Sequence, residues 1–110
     1  MDDSTLIELF RVLGDPVRWS VVTELRDGTR CACELAEASG AAPSLLSHHL
    51  GVLRDAGVVT ASRRGKWVDY TVVDAVLEHL ADELSNFATA QGGRANEPAA
   101  RAMKSKGLAG

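Results

Sequence analysis

Apolar residues recur at helical spacing in several stretches of the chain, and each such stretch predicts an amphipathic helix. The first predicted helix runs from about Ser4, as its N-cap, to Leu13. The next begins with Asp15 as N-cap and Pro16 at its first position, and Asp27-Gly28 ends it. The last predicted helix runs from Asp74 to about Ala90. Its apolar positions are Leu77, Leu80, Leu84 and Phe87.

Residues 31–59 have the pattern of a short helix, a turn and a longer helix. In the longer helix, Leu46, Leu50 and Leu53 fall at i, i+4 and i+7 and form a narrow apolar stripe for the core. The opposite face is small and polar and carries Ser44, Ser47, His48 and Arg54. Such a face can lie in a DNA major groove, although most polar helix faces are simply solvated.

A β-hairpin is predicted directly after this longer helix. Val59 and Ala61, then Val68, Tyr70 and Val72, alternate as strands with one buried face do, and Gly65 supplies the turn. The hairpin tip carries Arg63, Arg64 and Lys66. A helix-turn-helix followed by a basic hairpin is the order of a winged helix, in which the second helix reads base edges and the hairpin, or wing, holds phosphates.

The fold class predicted is therefore mainly α with a β-hairpin wing (α+β), in the order α-α-α-α-β-β-α. Residues 1–90 would form the winged-helix and dimerisation domain. Residues 91–110 lack an apolar period, are rich in Gly, Ala, Lys and Arg, and are predicted to be a disordered basic tail.

Two cysteines, Cys31 and Cys33, stand at the start of the short helix. Side chains two residues apart point about 200° away from each other inside a regular helix, so the sulfurs converge only if one lies at the helix end. Cys31 and Glu34 have the spacing of a capping box, which makes Cys31 the predicted N-cap. The helix N-terminus and Arg30 favour the thiolate, the form that binds soft ions. Buried core filling and a disulfide are the alternatives, the disulfide being disfavoured because it would close a small strained ring.

Composition narrows the class of protein. The chain has 110 residues, 45% hydrophobic and 5% aromatic, with a net charge of −3, which suits one domain and does not by itself suggest a nucleic-acid partner. The charges are segregated, however, because the cations lie on the proposed DNA side and the acidic residues cluster in the last helix. The sequence predicts neither a membrane span nor a signal peptide. We therefore expect a cytoplasmic protein whose thiols are reduced. No base flanks the cysteines and no nucleotide-binding glycine loop is present, so an enzyme is not expected.

Several dispersed motifs resemble the ArsR/SmtB family of bacterial metal-sensing repressors. They are Leu13-Gly14-Asp15-Pro16-x-Arg18, Cys31-Ala32-Cys33-Glu34-Leu35, Ser44-x-x-Ser47-His48-His49-Leu50-x-x-Leu53-Arg54 and Arg64-Gly65-Lys66-Trp67-Val68-x-Tyr70. The resemblance implies a homodimer, formed through the first and last helices, that sits on a palindromic operator in double-stranded DNA. It also implies that the protein leaves the operator when an inducer ion binds.

The resemblance also bears on the ion. A thiolate box at this position is similar to that of the arsenic- and cadmium-type sensors, although Ala36 stands where arsenical repressors commonly have a further cysteine. The third ligand would then be water, an external thiol, or a group from elsewhere, such as Asp15, Glu34 or a chain-terminal group of the partner subunit. Zinc- and nickel-type relatives carry ligands in the last helix at positions that are Val76, Phe87 and Ala90 here.

The sequence therefore predicts a repressor released from its operator by a soft metal or metalloid ion at Cys31 and Cys33. As(III) or Sb(III) is the first choice, with Cd(II), Zn(II) or Cu(I) also suited to thiolates. Ser44, Ser47 and His48 would read bases, and Arg54, Arg63, Arg64 and Lys66 would hold phosphates. The alternatives are a regulator that senses Ni(II) or Zn(II) through His79, Asp82 and Glu83, one that responds to thiol oxidation, and one that acts without a metal or with a partner protein.

Overall fold

The computed structural model describes residues 1–90, so the tail predicted for 91–110 lies outside the described residues. The elements follow in the order α1 (Asp3–Leu13), α2 (Pro16–Leu25), β1 (Arg30–Cys31), α3 (Ala32–Ser39), α4 (Pro43–Asp55), β2 (Val59–Arg64), β3 (Trp67–Val72) and α5 (Asp74–Ala90). This is the expected winged helix with one addition, because β1 was not predicted.

The helix ends follow local hydrogen-bonding rules. Asp15 caps α2 by accepting hydrogen bonds from the amides of Val17 (2.8 Å) and Arg18 (3.1 Å), with Pro16 at the first helical position, as predicted. The prediction for α1 was wrong by two residues. Its N-cap is Asp2 rather than Ser4, because the Asp2 carboxylate accepts from the amide of Thr5 at 2.8 Å.

The three strands form an antiparallel sheet in the order β1-β3-β2. β2 and β3 form the wing, in register from Val59 opposite Val72 to Arg64 opposite Trp67. Gly65 makes the turn with φ +63°, a left-handed conformation that side chains with a Cβ rarely adopt. On the other edge of β3, Cys31 lies opposite Asp69, which joins the cysteine segment to the middle of the wing.

The core belongs to the unit Met1–Leu77. Its fully buried side chains come from α1, α2, α3, α4 and the start of the wing, and they are Val12, Val21, Val22, Leu25, Leu35, Leu53, Val58 and Val59. Burying these branched side chains is the main stabilising contribution to the unit, at about 25 cal/mol per Å² of apolar surface.

Glu78–Ala90, the greater part of α5, belongs to a second unit that begins at Glu78. On its predicted apolar stripe Leu80 is buried, whereas Leu84 and Phe87 are 47% and 69% exposed. No helix within residues 1–90 is long and apolar enough to cross a membrane.

Candidate nucleic-acid interface and thiol site

Helix α4 separates a buried face from a polar face, as its sequence predicted. Leu46, Leu50 and Leu53 are buried, and the helix starts from Pro43 without a side-chain hydrogen bond at its N-cap, Ala42. The predicted base-reading residues Ser44, Ser47 and His48 are all exposed, as is Arg54. We call α4 the reading helix from here on, after the role predicted for it; its exposed face bears hydrogen-bonding groups and no carboxylate before Asp55.

A buried polar cluster fixes the reading helix against the start of α2. The Arg18 guanidinium lies 2.9 Å from His49 Nδ1 and donates from Nε to the carbonyl of Val12 at 2.6 Å. Because a guanidinium only donates, His49 Nδ1 must accept and the neutral ring carries its proton on Nε2. That nitrogen lies 3.7 Å from the Asp15 carboxylate.

Sequence reasoning missed this cluster as a structural connection. Arg18 and His49 are 9% and 7% exposed, so both belong to the interior. A signal was available, since His49 lies between Leu46 and Leu50 on the apolar stripe, at the i+3 position from Leu46. The cluster places Ser47 and His48 by holding their neighbour His49.

The three cations at the wing tip differ in the contacts that they make. Arg63 and Lys66 are exposed, and Lys66 Nζ lies 5.4 Å from the centre of the Trp67 ring. Arg64 instead makes a bidentate pair with Asp69, with distances of 2.7 Å from Nε and 3.0 Å from Nη2. The hydrogen bonds from Arg64 lower the pKa of Asp69, and the same pairing raises the pKa of Arg64. Arg64 is thus a phosphate candidate that already has an anionic partner.

The capping box predicted for α3 is present. Cys31 is the N-cap with extended backbone, its sulfur accepts from the Glu34 amide at 3.4 Å, and the Glu34 carboxylate accepts from the Cys31 amide at 2.9 Å. This arrangement brings both sulfurs to the first turn of α3, where Cys33 is exposed and Cys31 is buried.

The oxidation state differs from the expectation of two reduced thiols. Cys31 and Cys33 are joined in a disulfide, the alternative that the sequence disfavoured. The physical reason is the cap itself. Extended backbone at Cys31 turns its side chain toward the first helical turn, and the two Cα atoms lie 5.4 Å apart, within the range that disulfides span.

The side chains suggested as further ligands are engaged elsewhere. Glu34 closes the capping box, and Asp15 caps α2 and faces His49. Hydrogen bonds from the backbone amides, chiefly that of Arg18, lower the pKa of Asp15. Within the described part of the chain, no group of three or more His, Cys, Asp or Glu side chains is arranged to hold an ion, and this includes the set around His79.

Comparison with known proteins agrees with this geometry. Residues 15–61 match the model of the bacterial regulatory protein arsR family. The chain is 44% identical over 73 residues to the HTH-type transcriptional repressor SmtB of Mycobacterium tuberculosis, a match that covers 66% of this chain and 54% of the repressor. The chain thus spans about half the length of that relative.

Two further relatives extend the comparison. The arsenical resistance operon repressor of Escherichia coli is 37% identical over 65 residues, with 58% of this chain and 56% of the repressor covered. The crystal structure of the transcriptional repressor BigR from Xylella fastidiosa superposes with a TM-score of 0.61 and 31% identity, covering 76% of this chain and 82% of that one. The similarity therefore extends over the helix-turn-helix and the wing in both sequence and fold.

Proposed function

Since the chain belongs to the ArsR/SmtB family of bacterial regulatory proteins, we propose that it is a cytoplasmic transcriptional repressor that binds operator DNA and is released by a soft metal or metalloid ion. Support for DNA binding comes from the reading helix, whose exposed face carries Ser44, Ser47 and His48. Arg54, Arg63, Arg64 and Lys66 supply phosphate contacts beside it. SmtB and BigR, the relatives named above, are both repressors.

The operator is proposed to be palindromic because the repressor is proposed to be a homodimer. Large apolar side chains remain exposed on both helices that the sequence assigned to the interface. On α1, Ile7 is 65% and Phe10 is 44% exposed, and Leu84 and Phe87 are exposed on α5. Exposed apolar side chains on a small domain are typical of a surface that a partner covers. A two-fold dimer would place two reading helices on two symmetric half-sites.

The inducer is proposed to bind Cys31 and Cys33 as thiolates. The observation that carries this proposal is the convergence of both sulfurs at the N-terminus of α3. Helix N-termini stabilise negative charge, and thiolates select soft ions. As(III) is the first choice, supported by the similarity to an arsenical resistance repressor, with Cd(II) the next. The disulfide has to be reduced before an ion binds.

Ion binding is proposed to disturb the cap of α3. The Cys31 sulfur accepts from the Glu34 amide, and a sulfur shared with an ion becomes a poorer acceptor for that bond. Cys31 also pairs with β3, so a shift there is transmitted to the wing. A coupling free energy of about 1–3 kcal/mol between the ion and DNA sites changes affinity about 5- to 150-fold.

The test is an anaerobic titration of the reduced, full-length protein with As(III), Cd(II) and Ni(II), followed by near-ultraviolet absorbance and by DNA-binding anisotropy. A saturable sulfur-to-ion charge-transfer band and loss of DNA binding are expected with a thiophilic ion. Cys31→Ser is the sharp control. Serine is a better N-cap than cysteine, so α3 stays capped while one sulfur is lost. The variant is expected to bind DNA but lose the band and the release.

Two outcomes would overturn the ion proposal. One is the absence of a band with any of the three ions, and the other is release that persists unchanged in Cys31→Ser. Release by Ni(II) alone, without a band, would move the site to histidine and carboxylate ligands.

The disulfide favours a second candidate, a repressor that responds to thiol oxidation. Oxidation of Cys31 and Cys33 to the disulfide would release two protons and two electrons to an oxidant, and the sulfurs already converge. DNA affinity of the oxidised and reduced protein would then differ. Equal affinity of the two forms excludes this candidate and leaves ion sensing untouched.

A further inference from the structure

A groove of about 420 Å³ lies between α3, the reading helix and β3, with Cys33 in its wall. Ser47 contributes a polar rim on the reading-helix side. The rest of the lining is apolar apart from one phenol hydroxyl, and it consists of Ala32, Ala36, Pro43, Leu46, Leu50 and Tyr70. The groove therefore joins one of the two sulfurs to the buried side of the helix proposed to read DNA.

Two other grooves that Cys33 lines have a different character. One groove of about 380 Å³ is lined by Glu24, Arg30, Glu34 and Glu37 as well as Cys33. Another, of about 330 Å³, is lined by both cysteines with Glu34, Arg64 and Trp67. An apolar group carried by a sulfur-bound ligand is therefore favoured on the reading-helix side, because charged side chains line the other openings.

We propose that the preferred ligand of the cysteine pair is a monosubstituted organic compound of trivalent arsenic, whose organic group occupies the apolar groove. This inference rests on the proposed function and names the ligand class of the same site. Trivalent arsenic forms three bonds. Two go to the sulfurs of Cys31 and Cys33 and the third goes to carbon, so no third protein ligand is needed.

The reaction balances without a change in the oxidation state of arsenic. A low-molecular-weight dithiol first reduces the disulfide by two electrons and two protons and becomes a disulfide itself. The arsenical R–As(OH)₂ then loses two As–O bonds and gains two As–S bonds, and the two hydroxyl groups leave with the two thiol protons as two molecules of water.

The size of the groove suits a phenyl group. An apolar cavity of about 150 Å³ already admits benzene, and this groove is larger and open. Ala36 lies on its wall, one helical turn after Cys33. A small side chain there leaves room for the organic group, and Leu46, Ser47 and Leu50 would bring that group into contact with the reading helix.

The experiment compares phenylarsine oxide, methylarsonous acid and inorganic arsenite on the reduced full-length protein, by charge-transfer absorbance in competition with dithiothreitol. Because dithiothreitol is itself a dithiol, the competition corrects the measured affinities for how strongly any dithiol binds each arsenical. Phenylarsine oxide is expected to bind at least tenfold more tightly than the methyl compound, in line with the roughly 10- to 200-fold that one methylene is worth in an apolar pocket. It is also expected to release DNA at lower concentration than arsenite.

Two matched variants test the groove directly. Ala36→Leu fills it and is expected to weaken phenylarsine oxide at least tenfold while changing arsenite less than threefold. Ala38→Leu, exposed on the same helix and outside this groove, is expected to change neither. Circular dichroism checks that both variants fold, and the comparison of the three arsenicals on the unmodified protein does not depend on them.

The outcomes separate this inference from the proposed function. If arsenite binds and the three arsenicals rank as they do with dithiothreitol alone, the groove takes no organic group and the inference is overturned while the ion sensor stands. If Ala36→Leu weakens arsenite and phenylarsine oxide equally, the groove is likewise excluded. If none of the three binds the reduced protein, the ion-sensing function itself fails.

Discussion

The Arg64–Asp69 pair makes a sharp prediction about how the wing meets DNA. Arg64 is 65% exposed, but its guanidinium already forms two hydrogen bonds to Asp69, whose side chain is 18% exposed. A phosphate would compete with Asp69 for this guanidinium, and we expect Arg64 to exchange one anionic partner for the other when it contacts DNA. Replacing Asp69 with Asn removes the competing charge and keeps a side chain of the same shape.

The expected change in operator affinity depends on the strength of the Arg64–Asp69 pair and on the number of wings that contact DNA. Exposed ion pairs are weak, so releasing Arg64 from Asp69 is expected to tighten operator binding about two- to fivefold per wing. If both wings of a dimer contact DNA, the gain is about 4- to 25-fold. The number of phosphates neutralised does not change, so the dependence of log affinity on log salt should keep its slope in Asp69→Asn. Arg64→Ala, in contrast, should flatten that slope by about 0.9 per wing.

The assay is operator affinity by fluorescence anisotropy at several salt concentrations. Asp27→Asn is the matched control, since it removes the same charge from an exposed site in the segment between α2 and β1. The double variant Arg64→Ala with Asp69→Asn separates loss of the phosphate contact from the repulsion of an unpaired Asp69.

A slope that Arg64→Ala leaves unchanged would remove Arg64 from the phosphate contacts. A steeper slope in Asp69→Asn would show that the pair survives in the normal complex and that only the variant frees the arginine. An equal gain in operator affinity in Asp69→Asn and Asp27→Asn would mean that the gain comes from the change in net charge alone. Each of these results contradicts the exchange of partners.

Two further predictions concern the cluster beneath the reading helix. Arg18→Met leaves Val12 O and His49 Nδ1 without their buried donor and is expected to lower the free energy of unfolding by about 2–4 kcal/mol, measured by urea denaturation. The exposed Arg26→Met serves as control, with about 0.5 kcal/mol or less expected. The pKa of Asp15 is lower in the folded protein than the value of 3.8 expected for the unfolded chain, so its ionised carboxylate stabilises the fold above pH 3.8. This contribution is lost as the pH falls through the pKa of the folded state. The drop in urea midpoint between pH 7 and pH 3 should therefore be smaller in Asp15→Asn, and an equal drop in both proteins would contradict this assignment.

The parts of the fold that the sequence predicts are those set by local rules. The apolar stripe of the reading helix, the Asp15 and Pro16 start of α2 and the cysteine capping box depend on residues within one or two turns of each other. The N-cap of α1 was misplaced because Asp2, Asp3 and Ser4 are all good N-cap residues and spacing does not rank them.

The parts that could not be predicted depend on residues far apart in the chain. Strand β1 has two residues and exists only because Arg30 and Cys31 pair with Tyr70 and Asp69. The contact of Arg18 with His49 spans 31 positions. The apolar stripe signals that His49 is buried, but no periodic pattern identifies Arg18 as its partner or predicts β1, because both contacts arise when the elements pack.

Cys31 has two structural roles, and we expect them to determine how an inducer acts. It caps α3 and also pairs with Asp69, the residue that holds Arg64. A shift of the Cys31 backbone therefore reaches a wing cation through one strand pairing and one ion pair. Both α3 and the reading helix line the apolar groove, and we expect its open volume to absorb small movements of α3. We therefore expect a bare ion to act first on the wing, whereas a ligand with an organic group fills the groove and acts on the reading helix as well. We therefore expect the third arsenic substituent to change the strength of release as well as the affinity.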